Sequence, residues 1–486
     1  MKIDRLHEGI DKISSAATLA NMSKTFLSYD VDQQLLLPPN LRDWLNEGHL
    51  ALFLLDVVQS LDLSAIMESY KEGDGRGRPP YHPTMMVTLL IYAYCMGKPS
   101  SRKIERATYE DVGYRVLSGD RHPDHDSIAD FRKRHLQALA GLFIQVLMLC
   151  EKAGLVKLGH VALDGTKVKA NASKHKAMSY DRMCETEKRL EAEVKKLLET
   201  AQQADAAEDV QHGKGRRGDE LPKELERRES RLTKIREAKT ALEQEAKEKA
   251  KVRAEEARAK IAERDQKEKE TGEKPRGPGP KVPDPEQAKP EPKAQKNFTD
   301  PESRIMKDGA TKGFEQAYNA QAVVDAEAQI IVAAAVTQEA NDKKQLVPMV
   351  EEVKENLGKM PDKVSADAGY FSESNVTDKR LADVELYVPP DRQKHGAPLE
   401  EASGPAPEGA DVAEKMRHKL KTPEGREVYK RRKAVVEPVF GQIKEARGFR
   451  RFSFRGLAKV AAEWDLICLT HNLLKLFRAG AIPVPA

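Results

Sequence analysis

Apolar residues in the first third of the chain recur at helical spacing. Leu50, Leu52, Phe53, Val57 and Leu61 follow the 3.6-residue period, and the run from Thr84 to Gly97 is apolar enough for a buried helix. Two further runs, 100–119 and 125–154, open on Ser or beside Asp and stop at Gly, as helices do. Pro38-Pro39 breaks any helix in the entry segment, and GDGRGRPPYHP is a basic turn. This pattern predicts an all-α region over residues 1–155.

Beyond His160 the pattern changes to short apolar runs. Strands are expected at 160–164, 317–324 and 328–336, with Asp325-Ala326-Glu327 as the turn between the last two. QIIVAAAV is a continuous apolar run and so is buried on both faces. A helix follows at 341–357, a strand at 363–367, a helix at 372–381, and the strand VELYVPP, stopped by proline. Residues 391–424, rich in Gly, Pro, Ala and Glu, read as a loop. The last helix, 457–477, carries Trp464, Leu466, Ile467, Leu469, Leu473 and Leu474 toward the sheet. His471 and Asn472 on it read as packing and hydrogen-bonding residues.

Residues 187–296 interrupt this order. Ala, Glu, Lys, Arg and Leu dominate up to about Ala207 and again from Leu221 to about Lys269, with the turn VQHGKGRRGDELP between. Leu190, Val194, Leu197 and Leu198 make a narrow seam, but past Leu242 there is hardly an apolar stripe. EKPRGPGPKVPDPEQAKPEPK cannot be helical and reads as a tether. A protruding antiparallel helical hairpin is expected, serving dimerisation or partner contact.

Three acids stand out. Asp164 ends the apolar run of the first strand and is followed by Gly, which by itself reads as a hairpin turn. Asp367 ends a second strand-like run, KVSADAGY. Glu437 lies within the helical stripe of Val436, Phe440 and Ile443, with Lys433 and Lys444 on its own face. A solvated ion-pair ladder is the ordinary reading of such a helix. Two strand-end Asp residues and a helix Glu are also the oxygen donors that hold Mg²⁺ or Mn²⁺ in two-metal phosphoryl transfer.

ALDGTKVKANASKHKAMSY, SADAGY and YKRRKAVVEPVFGQIKEARGFRRFSFRG resemble the three catalytic segments of DDE transposases of bacterial insertion sequences, in the insertion-sequence-five-like branch. The resemblance covers nearly the whole chain outside 187–296. It implies an α/β RNase H-like catalytic domain over 156–186 and 297–486, an all-α N-terminal domain over 1–155 that binds DNA, and a long charged helical insertion. The predicted β-β-β-α-β-α-β-α order is that of the RNase H-like fold. Asp164, Asp367 and Glu437 would be the catalytic acids and would share two ions, Mg²⁺ or Mn²⁺. The implied activity is cleavage at element ends and joining to target DNA. An RNase H-like nuclease that does not join, or a non-catalytic DNA-binding derivative, is the rival. In related transposases three residues separate the motif arginine from the glutamate; four separate Arg432 from Glu437, which leaves the role open between Arg432 and Lys433. Lys444, Arg447, Arg450, Arg451 and Arg455 would continue a basic strip along the DNA, interleaved with Phe449, Phe452 and Phe454.

Composition adds little for or against this picture. With 82 basic and 78 acidic residues among 486, the net charge of +4 does not indicate nucleic acid, so the distribution of charge has to. In the N-terminal helices Arg102, Lys103, Arg106, Arg132, Lys133 and Arg134 are candidate phosphate contacts of a helix-turn-helix reader, or the charged exterior of an ordinary bundle. His122, Asp124, His125 and Asp126 resemble a metal cluster but read better as a helix cap. The four cysteines are far apart, and no apolar run reaches the ~18 residues of a membrane span. A cytoplasmic homodimer acting on double-stranded DNA is expected.

Overall fold

The structure, a computed structural model, describes residues 40–70, 79–212, 223–271, 277–308, 312–392 and 401–480. The expected entry segment up to residue 39, most of the basic glycine-rich turn and the hairpin tip at 213–222 lie outside them. Apart from single turns, six helices come first among the described residues: α1 (Leu50–Ser60), α2 (Pro83–Cys95), α3 (Ser101–Glu110), α4 (Val112–Leu117), α5 (His125–Arg134) and α6 (Leu136–Lys152). Four of these starts, those of α1, α2, α4 and α5, follow side-chain capping chemistry. His82 accepts from the Thr84 N–H ahead of Pro83, and the Asp124 carboxylate accepts from the Ser127 N–H at 2.8 Å. Asp124 is therefore a cap, His125 pairs with Glu105, and His122 stacks on Tyr109.

Strand β1 (Val161–Lys169) runs five residues beyond its expected end at 164. After it come β2 (Ala177–Ser179), the long helices α7 (Tyr180–His212) and α8 (Lys223–Thr271), and β3 (Gln295–Asn297). Then follow β4 (Arg304–Lys307), β5 (Phe314–Asp325), β6 (Ile331–Thr337), α9 (Leu346–Leu357), β7 (Lys363–Ala366) and β8 (Glu385–Tyr387). The chain closes with α10 (Val412–Lys421), α11 (Pro423–Gly441) and α12 (Leu457–Arg478). Helix α10 lies inside the segment expected to be loop. Its Asp411–Glu414 capping box supplies the start that composition obscured. The helix expected over 372–381 is only a single turn, Glu373–Val376, and a 3₁₀ turn.

In the main sheet β1 lies between β5, antiparallel to it, and β7, parallel to it; β8 follows β7 in parallel. On its other edge β5 carries β4 and β6, both antiparallel. Helix α11 packs on β1, and α12 lies on β6, α2 and α6. One buried hydrophobic cluster consequently runs from Ala51 of α1 to Leu476 of α12, through helices and sheet alike. Asn472 behaves like a strand partner, exchanging two hydrogen bonds with the backbone of Ile331, and His471 bridges Gln442 and the Gln329 carbonyl.

Two half-buried acids, Glu352 of α9 and Asp465 of α12, lie within electrostatic reach of each other. Burial pushes Glu352 up to about 7 and Asp465 up to about 8, Glu352 adding to the latter. Both folded values lie above the unfolded ones, so the associated stability is complete below the unfolded values and is lost as pH rises through 7–8. Asp465→Asn is expected to raise the Tm at pH 9, an advantage on the order of 1 kcal/mol that fades toward pH 4. An equal Tm difference at both pH values would refute that origin.

The insertion rises from a small ladder in which β2 pairs antiparallel with β3, so its two ends meet. Met183, Leu190, Leu232, Ile235 and Leu242 form the seam between α7 and α8. Glu187 pairs with Lys239, Glu191 with Arg236 and Glu193 with Arg228; partners descend along α8 as they ascend α7, which makes the pair antiparallel. Apart from the half-buried Glu187–Lys239 pair, these ion pairs are largely exposed and contribute little beside the seam. The proline-rich segment is more than slack. Arg264 donates to the Gly277 carbonyl at 2.8 Å, Lys247 pairs with Glu286 at 2.8 Å and Glu245 with Lys296 at 2.7 Å, so it runs back along α8 as a strap. On the same stretch of α8, Ala250, Ala254 and Ala257 are buried, a stripe too small in side chain to register as apolar periodicity.

Candidate active site

The parallel register of β1 and β7 ends with Leu163 opposite Ala366, so the next residues, Asp164 and Asp367, leave the ladder side by side. Asp164 is no turn residue. Its strand continues, with Gly165 opposite Gln321 and Lys167 opposite Asn319. Glycine is required at 165 for a different reason: a Cβ there would lie 2.3 Å from Gln321 Nε2 and 2.7 Å from Asp342 Oδ1. Asp367 caps the following 3₁₀ turn, accepting from the Gly369 N–H at 2.7 Å.

From α11, Arg432 reaches Asp164, Nη1 to Oδ2 at 3.2 Å, and its guanidinium lies 5.8 Å from the Tyr429 ring centre. Arg432 is buried and Lys433 is exposed, so the guanidinium that meets Asp164 is that of Arg432. Burial pushes the Asp164 carboxyl up to about 6; Arg432 opposes this, and Asp367 and Asp342 add to it. Crowded carboxylates of this kind are relieved by a cation, and an all-oxygen donor set suits Mg²⁺ or Mn²⁺.

Glu437 stands on α11 five residues after Arg432, about 140° round the helix, and is exposed. Among the described residues no three His, Cys, Asp or Glu side chains are arranged to hold one metal ion. Two of the three expected acids are thus adjacent, and the third shares the helix that supplies Arg432. Helix α11 then widens into a π turn, Gln442–Ala446, from which Lys444 Nζ donates to Thr166 Oγ1 at 3.0 Å and to the Lys167 carbonyl at 3.1 Å. Such turns are frequent at functional sites.

The basic strip alternates in and out. Phe449 and Phe452 are in the core, while Arg450, Arg451 and Arg455 are exposed; Arg450 pairs with Glu445, and Arg455 donates to the Asn171 carbonyl at 2.8 Å. Backbone bonds from Lys169 to Arg450 and from Phe452 to Lys169 attach this segment to the end of β1. Arg447 departs from the expected strip. It is buried, donates to Thr470 Oγ1 at 2.7 Å and to the Ile467 carbonyl, and its burial brings it down to about 10. Arg132 likewise turns inward, to the Pro99 carbonyl and Tyr94, leaving Lys133 and Arg134 exposed. Arg102, Lys103 and Arg106 are on or near the surface of α3, whose neighbours are α4 and α5.

Sequence reasoning passed over Lys167 and Asp342. The signal for Asp342 was the pair Asn341-Asp342 ahead of a helix, read as its start; the helix begins only at Leu346, and Asp342 turns toward β1 and β5 instead.

Two family models match. One, described as a transposase DDE domain, matches residues 405–477, which include Arg432, Glu437 and Lys444. The other, described as a transposase domain, matches residues 39–134, most of the helical region. No curated protein and no solved structure gives a significant match. Among the described residues no single helix is long and apolar enough to cross a membrane.

Proposed function

Since this chain belongs to the DDE transposases of insertion sequences, we propose that it cleaves double-stranded DNA at element ends and joins the freed 3′ hydroxyl to target DNA, with Asp164, Asp367 and Glu437 as its metal-holding acids. The observation that carries this reading is the emergence of Asp164 and Asp367 side by side from parallel neighbouring strands, with Arg432 on Asp164. Three strands antiparallel in the order β6-β5-β1, extended by two parallel ones, β7 and β8, support an RNase H-like catalytic domain over 156–186 and 297–486. Two divalent ions bound there would supply Lewis acidity to the attacking and leaving oxygens of an in-line displacement.

The chain's own residues do the positioning. Arg432 holds the Asp164 carboxylate and keeps it ionised against the cost of its burial. Lys444, tied to Thr166 and the Lys167 carbonyl, fixes the far half of β1 and presents its charge to a scissile phosphate. Arg450, Arg451 and Arg455 continue along the DNA backbone, and Arg102, Lys103 and Arg106 with residues 1–155 bind the element end. Residues 187–296 form an arm for a homodimer that brings two ends together. Duplex DNA carrying the element's termini, incubated with Mg²⁺, should yield nicks with free 3′ hydroxyls and then joined product, and chelation should remove both. Nicks without joined product would establish the nuclease reading; cleavage that persists in chelator would overturn the site.

A further inference from the structure

Between the end of β1 at Lys169 and the start of β2 at Ala177 the chain reads ANASKHK, small and polar first and then basic. The Ser173 hydroxyl accepts from the His175 N–H at 3.3 Å and so caps a 3₁₀ turn, Lys174–Lys176, whose three side chains are exposed. The backbone of this turn is held from beneath. Asn297, fully buried, donates from Nδ2 to the Ser173 carbonyl at 2.8 Å, and the Phe298 N–H donates to the Lys176 carbonyl at 3.1 Å.

The turn stands in line with the basic strip. Lys444 is tied to Thr166 and the Lys167 carbonyl, Arg451 bridges to Lys169, and Arg455 Nε donates to the Asn171 carbonyl at 2.8 Å. Asn171 Nδ2 returns a bond to the Ser453 carbonyl at 2.7 Å. The cations thus follow β1 in order, outward from Asp164. Lys174 comes three residues after Asn171, within about 11 Å of it even at full extension, and continues the line.

The charges on this line are not neutralised. Among the described residues none of Lys174, Lys176, Arg451 and Arg455 has an acidic partner. The acids that touch the loop are engaged by its backbone instead. Asp300 accepts from the Gly456 N–H, Glu302 from the Leu457 N–H, and Glu463 from the Ser453 and Phe454 N–H groups. A row of unpaired cations on a fixed backbone complements the evenly spaced charges of a phosphate backbone.

Resting on the reading of Arg451 and Arg455 as DNA contacts, we propose that the Lys174–Lys176 turn is a further phosphate-binding site, the outer end of a track along β1 that holds the duplex flanking the cut. Because the turn leads directly into β2, DNA seated there ends at the root of the hairpin arm.

Binding of the full-length protein to element-end duplex, followed by fluorescence anisotropy over a range of salt concentrations, tests this. Lys174→Gln with Lys176→Gln should lower the salt slope by about two units, and Lys174→Arg with Lys176→Arg should keep it. Lys152→Gln with Lys354→Gln, which removes exposed lysines of α6 and α9, measures the effect of net charge alone. A loss of slope no larger than in that pair would overturn the proposal, and so would an equal loss in the Arg variant, which would assign the effect to the shape of the turn. Hydroxyl-radical footprinting adds position. From Asp164 to Lys169 the strand advances about 17 Å, or about five base pairs of duplex, so the protection lost in the Gln variant should lie at least that far from the cut. Protection lost at the cut itself would also overturn the track. Arg451→Gln with Arg455→Gln separates the two levels: if it too leaves the slope native, the strip is not a DNA seat and the underlying reading fails, not merely this extension of it.

Discussion

Asp367→Asn is expected to lower end cleavage by on the order of 10³-fold or more while leaving DNA binding and Tm near native values. Removing one ligand forfeits several kcal/mol of transition-state stabilisation, and each 1.36 kcal/mol is a factor of ten. Asp367 is the cleaner position for this test. Its carboxylate accepts from the Gly369 N–H, a bond the Asn side-chain carbonyl can also accept. Asp164→Asn should abolish activity equally but also lower the Tm, because it leaves the buried Arg432 guanidinium facing a neutral amide. The two variants should therefore agree in a cleavage assay and differ in a melting curve. An Asp367→Asn protein that cleaves at the native rate would remove Asp367 from the chemistry.

Gly97→Ala should cost about 3 kcal/mol of stability, combining the strain of a left-handed residue with overpacking. Gly97 follows α2 with φ +66, and an added Cβ would sit 2.4 Å from the Arg447 carbonyl oxygen and 3.0 Å from its Cα. That backbone has no room to yield, for Arg447 is anchored to Thr470 and Ile467 of α12. The contact presses the end of α2 against the residue just after the π turn that carries Lys444, so cleavage should fall with the Tm. Gly119→Ala is the internal comparison. It has φ +59 with nothing within 4 Å of the added Cβ, and so suffers the left-handed strain alone. Chemical denaturation of both variants checks the difference; equal losses would mean that the Arg447 contact carries no energy.

Much of the fold was legible because its signals are local. The apolar runs of β5, β6 and β7 and the Asp124 cap of α5 are contained within a few residues. What escaped needed a partner to explain it. The second half of β1, Gly165–Lys169, has Val168 as its one apolar side chain and reads as loop; it is a strand because β5 pairs with it throughout. Arg447 sits in a run of surface-like arginines, and only the carbonyl and hydroxyl offered by α12 turn it inward. At the site, Asp164 and Asp367 were visible as acids ending apolar runs. Their adjacency depends on a parallel pairing across two hundred residues, which no local pattern encodes. Asp342 was hidden for the opposite reason: its local setting, Asn-Asp before a helix, has an adequate explanation that happens not to apply.

The cluster that runs unbroken from α1 to α12 bears on how such proteins can be re-engineered. A recombinant chimera that exchanges residues 1–155 for those of a relative would not be joining two finished modules. It would cut through the packing of α12 against α2 and α6, where Trp464, Ile467 and Leu473 are fully or almost fully buried and Cys95 and Cys150 lie against α12 carbonyls. Grafts that carry the recipient's matching α12 with them should express as folded protein, and grafts that do not should aggregate. The hairpin is the reverse case. Its own seam and the β2–β3 ladder hold it together, and its tie to the main sheet is the Glu245–Arg304 pair, so beyond Glu245 it is the part of the chain that can be lengthened, tagged or exchanged without renegotiating the core.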